Sequence, residues 1–254
     1  MRPLIALALT LAAAAAFAHP AGASSTQADP VRSLYKSGHF AAARRAASRL
    51  PADSVETLDV RGDLAFYVGD YSAAAGYFAR ARAKDSKDVH AIRGLGSVDV
   101  HLARFDAALS LARAGLKLKV SRGDRSRLLT VLGGAQGLKA DRGSLFDKIK
   151  YGPRVLGTLK QAVALDSQNA AAVYAIGRFY LEAPGVVGGN PSKAVPTLER
   201  AVRLDPYDFL HDAWLIRAYE KTGQSARATS EISSYKRKFG GLPAAMAELG
   251  TIKD

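Results

Sequence analysis

Small and aromatic residues recur along this chain at a fixed interval. Gly62 and Gly96 are 34 residues apart, and so are Tyr71 and Phe105, Ala74 and Ala108, and Phe78 and Ala112. The segment Arg61-Gly62-Asp63-Leu64-Ala65-Phe66-Tyr67-Val68-Gly69-Asp70-Tyr71 therefore aligns with Leu95-Gly96-Ser97-Val98-Asp99-Val100-His101-Leu102-Ala103-Arg104-Phe105. The pattern predicts paired helices. A small residue in the first helix lets the second approach, Gly69-Asp70 turns the chain, and Tyr71 opens the second helix. Ala74 and Ala81 then let that helix pack closely on its neighbours. Alanine-rich composition fits thin helical layers, because alanine favours helix but buries little area.

The same marks recur elsewhere. Gly38-His39-Phe40 with Ala43 fits an earlier, partly eroded unit. Leu132-Gly133 opens a later one that ends in Ala162-Val163-Ala164-Leu165-Asp166. Ile176-Gly177-Arg178-Phe179-Tyr180 opens the next, closed by Leu198-Glu199-Arg200-Ala201-Val202-Arg203-Leu204-Asp205-Pro206, and Tyr219, Gly223 and Ala228 mark a last. A period of 34 with these residues resembles the tetratricopeptide repeat (TPR) family. That resemblance implies an all-α solenoid of five to six antiparallel helix pairs over residues 31–239, and a protein that binds other molecules. Two units are longer than the repeat. The excess falls at residues 141–153 and 183–191; both are expected as loops, neighbours in sequence and so candidates to lie side by side. The stretch from Gly177 to Asp205 also resembles bacterial secreted TPR proteins, including the periplasmic TPR component of TRAP-type transporters.

The chain opens differently. Arg2 precedes an apolar run from Leu4 to Phe17, and small-x-small sites follow at Ala16-Phe17-Ala18 and Ala21-Gly22-Ala23. This is the layout of a secretory signal peptide, too short for a membrane span. Cleavage is expected after Ala23, downstream of the helix-ending Pro20. Residues 1–23 are then the leader, 24–30 a short linker and 240–254 a C-terminal tail, and the mature protein is expected in the periplasm or secreted. The formal net charge of +13 becomes +12, since the leader holds one basic and no acidic residue. Such a balance draws anionic partners.

Candidate chemistry is sparse. With no cysteine there is no disulfide and no thiolate site. The histidines (His19, His39, His90, His101 and His211) show no metal-ligand spacing. Gly185-Val186-Val187-Gly188-Gly189 lacks the spacing of a phosphate loop, and no nucleophile elbow occurs. Neither enzyme activity, cofactor nor metal is expected, and no nucleic-acid partner. Lys236-Arg237-Lys238 reads as a basic last helical turn.

What remains is the concave face that first helices share in a helix-pair solenoid. Helical spacing places Asp59, Asp63 and Tyr67, then Arg93 and His101, then Arg127, then Tyr174 and Arg178, then Trp214 and Arg217 on that face. Arg93, Arg127, Tyr174, Arg178, Trp214 and Arg217 are the candidate partner-binding residues. Guanidinium groups beside aromatic rings suit carboxylates with stacking contacts. The expected partner is a protein or peptide, acidic in character. The alternative is a small ligand carried for an envelope transport system, with the two long insertions forming its pocket.

Overall fold

The computed structural model describes residues 27–253; the expected leader and its cleavage site lie outside them. Among the described residues there are thirteen α-helices and no strand. Twelve form antiparallel pairs: α1 (Asp29–Lys36) with α2 (Phe40–Ser48), α3 (Val55–Tyr67) with α4 (Tyr71–Lys84), and α5 (Val89–His101) with α6 (Phe105–Leu116). Then come α7 (Arg122–Arg142) with α8 (Leu145–Leu165), α9 (Ala170–Glu182) with α10 (Pro191–Leu204), and α11 (Phe209–Lys221) with α12 (Ser225–Phe239). The last, α13 (Pro243–Lys253), packs on α11 and α12.

Short polar side chains start most of the first helices. Ser54, Asp88, Ser121, Asn169 and Asp208 each accept a backbone N–H from the first turn they cap. The turns inside pairs use left-handed backbone at Gly38, Gly69 and Gly223, where glycine adopts positive φ without steric cost. Ala103 occupies the position one repeat after Gly69 and takes φ 55° with a side chain in place.

Between the helices of a pair, glycine faces a large side chain. A Cβ on Gly62 would sit 2.6 Å from the Phe78 ring, and one on Gly177 2.6 Å from Leu198. Gly133 stands in the same relation to Leu159. Gly96 differs because Ala112 replaces the aromatic residue one repeat on from Phe78; there Val131 of the next pair fills the space. Ala74, Ala81, Ala108, Ala162 and Ala201 are completely buried, so their small size sets the interhelix distance.

Three features depart from the sequence expectation. Residues 141–153 are not a loop. They lengthen α7 and α8 to 21 residues each, with only Gly143 and Ser144 between them. Ser144 and Asp147 form a reciprocal capping box that restarts the helix, and Pro153 is accommodated inside α8. The 183–191 insertion holds one short 3-10 turn (Gly185–Val187) and rests against α8, where Gly188 lies beside Leu156. Residues 243–253, expected within a tail, form α13.

The array also closes on itself. Tyr67 of α3 donates its hydroxyl to the Asp205 carboxylate, 138 residues away. Gly38 packs under the Tyr207 ring, and Gly69 meets Phe209 and Ala244. One continuous core thus joins Val31, Tyr35 and Leu64 to Leu198, Ile216 and Phe239. Closure encloses the space that the first helices line.

Candidate functional site: a groove inside the helix array

A groove of about 1190 Å³ runs along α1, α3, α5, α7, α9 and α11. Of the six candidate partner-binding residues, Arg93, Arg127, Tyr174 and Arg178 line it. Trp214 and Arg217 do not. Arg217 is held by α13, through Glu248 Oε1 at 2.6 Å and Thr251 Oγ1 at 2.6 Å. Trp214 lies between two guanidinium groups, Arg178 at 4.0 Å and Arg217 at 4.8 Å from its ring centroid. Of the other residues placed on the concave face, Asp63, Tyr67 and His101 line the groove. Asp59 is instead buried against Asp88.

The α3–α5 wall is a chain of polar contacts. The Tyr35 hydroxyl donates to Asp63 Oδ2 at 3.2 Å, and His90 Nε2 lies 3.0 Å from both Asp63 oxygens. Arg93 Nη2 lies 3.0 Å from that same ring nitrogen. One nitrogen cannot donate to Asp63 and accept from Arg93 together. When it donates to the carboxylate, Arg93 loses that acceptor, and its buried Nε has no protein partner either. Burial pushes the Asp63 pKa up, but the facing His90 and then Arg93 and Arg32 outweigh it and hold the carboxyl below its ordinary value. Behind this wall the Asp59 pKa is pushed up to about 8, first by burial and then by the facing Asp88, so Asp59 keeps its proton at pH 7.

The α9–α11 wall is aromatic. Tyr174 and His211 rings lie 4.9 Å apart, and Arg178 lies 5.8 Å from the Tyr174 centroid. Arg178 donates to Glu182 at 3.2 Å, yet its Nε is buried without a protein acceptor. The Tyr174 hydroxyl is likewise buried and faces the Arg178 guanidinium without a hydrogen bond of ordinary geometry, and burial raises its pKa to about 12 against the opposing charge of Arg178. His211 Nδ1 lies 3.2 Å from the Asp205 carbonyl oxygen. A carbonyl only accepts, so Nδ1 carries a proton, while Nε2 is buried without a hydrogen bond and lies 3.6 Å from the Asp208 carboxylate. His101 stacks on Tyr71 at 4.9 Å, and burial, with Arg178 adding to it, pushes its pKa down to about 4. It is therefore neutral at pH 7.

Buried polar groups are normally satisfied. Arg93 Nε, Arg178 Nε and Tyr174 Oη are three donors on this groove with no protein acceptor. The groove can supply charge-assisted hydrogen bonds to an acceptor-rich ligand and aromatic faces beside them. Sequence reasoning takes His90 and His211 for packing or surface residues. Their one signal is spacing: each sits three residues before a candidate, Arg93 or Trp214, on the same helix face.

With fold and groove described, known structures are informative. A thermophilic TPR protein of Thermus thermophilus, TTC0263, superposes with a TM-score of 0.62 over 78% of this chain and 98% of its own, at 18% identity. The chain has the tetratricopeptide fold. At that identity the likeness concerns the TPR architecture alone. A crystal structure of MamA protein covers 74% of this chain and 93% of its own at 19% identity, with a TM-score of 0.40, too low to add weight. No protein-family model and no curated protein matches the sequence.

Proposed function

We propose that this protein is an exported binding module of the cell envelope whose TPR groove takes an extended, acidic segment of a partner protein. The observation that carries the reading is the set of buried donors without protein acceptors, Arg93 Nε, Arg178 Nε and Tyr174 Oη, on one groove. Arg127, about half exposed and held only by a long 3.7 Å ion pair with Asp124, adds a cation at the groove. At about 1190 Å³ the groove exceeds the roughly 300–1,000 Å³ of ordinary small-molecule pockets. The leader supports a periplasmic or secreted location.

Selection from a displayed random-peptide library tests the groove. Peptides rich in Asp and Glu are expected, losing about tenfold or more in affinity with Arg127→Ala plus Arg178→Ala, and weakening as salt rises. Peptides without acidic enrichment, or binding indifferent to the double variant and to salt, would refute it. N-terminal sequencing of the exported protein tests the leader: a start near Ser24 is expected, and an intact Met1 in the periplasmic fraction would overturn it.

One observation favours a second reading, a carrier of a small acid for an envelope transporter. The Tyr174 hydroxyl and His211 Nε2 are buried without hydrogen bonds on neighbouring rings of the groove wall, two polar atoms close enough to meet one compact ligand. A thermal-shift screen of small carboxylates distinguishes the two, because a compact acid would stabilise the protein where displayed peptides do not.

A further inference from the structure

Large apolar side chains are not exposed at random on this molecule. Leu102 is one of five strongly exposed among the described residues; the other four, Leu145, Phe146, Ile149 and Val186, all fall in the two insertions. Their exposures are high, 74%, 69%, 69% and 94% in that order. Helical spacing puts Leu145 and Ile149 on one line along α8, with Phe146 beside it. Leu156, eleven residues after Leu145, continues the same line. Gly188 of the second insertion lies against Leu156, with 3.5 Å from an ideal Cβ to its Cδ2. The second insertion therefore rests on α8 just beyond the first one, and carries Val186 outward. From Leu145 to Leu156 the strip is about 16 Å long at 1.5 Å per residue.

Cations frame this strip. Lys148 and Lys150 fall on its two flanks by helical spacing. The Lys150 ammonium lies 5.6 Å from the Phe146 ring centroid and 5.2 Å from that of Tyr151. Residues 139–154 hold five basic side chains (Lys139, Arg142, Lys148, Lys150 and Arg154) and two acidic ones (Asp141 and Asp147). Lys139 pairs with Asp106 and Arg142 approaches Asp141, while Lys148, Lys150 and Arg154 make no ion pair among the described residues. Leucine, phenylalanine and isoleucine at a helix tip, with lysines on either side, suit insertion among acyl chains while the ammonium groups reach headgroup phosphates. A second copy is disfavoured, because it would bring the same cations face to face.

We propose that the tip of the α7–α8 hairpin, with the 183–191 insertion beside it, docks this protein onto an anionic phospholipid bilayer. Lys148 also reaches the rim of the groove, but the apolar tip is separate from the groove's unpartnered donors and does not depend on the reading of that groove.

Co-sedimentation of the chain from Ser24 onward, which holds every described helix, with unilamellar vesicles tests it. Binding is expected to vesicles of mixed phosphatidylglycerol and phosphatidylcholine and not to phosphatidylcholine alone. Leu145→Ser, Phe146→Ser and Ile149→Ser combined should weaken it by at least about tenfold, given the apolar area removed. Lys148→Glu with Lys150→Glu should abolish the preference for the anionic lipid. Neither variant should alter helical content, since all five side chains lie at the protruding tip. The chain has no cysteine, so Phe146→Cys accepts a single polarity-sensitive fluorophore, which should shift to the blue on anionic vesicles. Absence of binding to either vesicle, binding unchanged by the serine variant, or a protein dimer that the serine variant dissolves in the absence of vesicle binding would each overturn the proposal.

Discussion

The two regular pairs, α3–α4 and α5–α6, and the long pair α7–α8 obey different rules. In the regular pairs the small residues on the packed faces are small for a reason. Gly62 and Gly94 both give way to the ring of Phe78, and Ala74, Ala81 and Ala108 are sealed between helices. In α8 the glycines face nothing: no atom lies within 4 Å of a Cβ built on Gly152 or Gly157. Large apolar residues there, Leu145, Phe146 and Ile149, face outward. Close packing fixes the small residues on the facing sides of the first region, whereas the tip of the second is held by capping and helix continuity. Side chains in that second region are thereby free to serve a surface.

The largest expected effect separates the two regions directly. Gly62→Leu should destabilise the fold by about 3 kcal/mol, because the Phe78 ring must move. Gly157→Ala should stabilise it by about 0.5–1 kcal/mol, as alanine for an uncrowded helical glycine does. Urea denaturation of the two variants decides it, and similar destabilisation by both would erase the distinction.

The next effect depends on pH and lies in the regular region. Asp59, buried and facing Asp88, keeps a proton in the native state that the unfolded chain releases above the ordinary carboxylate range of about 4. The unfolded state then binds fewer protons, so stability falls as pH rises above that range until the native group ionises. Asp59→Asn should flatten this dependence and raise stability at pH 8 relative to wild type. Urea midpoints at pH 5 and pH 8 measure it; parallel losses in both proteins would place the titrating group elsewhere.

Ring closure predicts a smaller change. Tyr67→Phe leaves Asp205 without its hydroxyl donor and should cost about 1–2 kcal/mol. It should also speed hydrogen exchange at both ends of the array together, whereas an open solenoid would respond only around α3. The smallest effect is Ala103→Gly. It relieves positive φ at the α5–α6 turn and should stabilise by about 0.5–1 kcal/mol, with no gain if the turn is unstrained.

Much of the fold is legible in the residues. The 34-residue spacing of Gly62 and Gly96, and of Ala74 and Ala108, specifies helix pairs and their close faces, because packing two helices demands small residues at regular intervals. The basic last turn of α12, and Asp166 and Asp205 at helix ends, are readable for the same local reason. The 141–153 insertion is misread as a loop: its extra length is visible, but Gly143 and Pro153 outweigh the capping by Ser144 and Asp147 that continues the helices. On the groove, period alone places Arg93, Arg127, Tyr174 and Arg178, since neighbouring first helices share one face. It does not show that Glu248 and Thr251 occupy Arg217, because that contact comes from a helix outside the repeat. Nor does it show that Tyr67 meets Asp205, that His90 stands between Asp63 and Arg93, or that Gly188 rests on Leu156. Repeat spacing is information about neighbours along the array; contacts that close the array, or that join its insertions, depend on the accumulated rotation of many pairs, which no single interval in the sequence encodes.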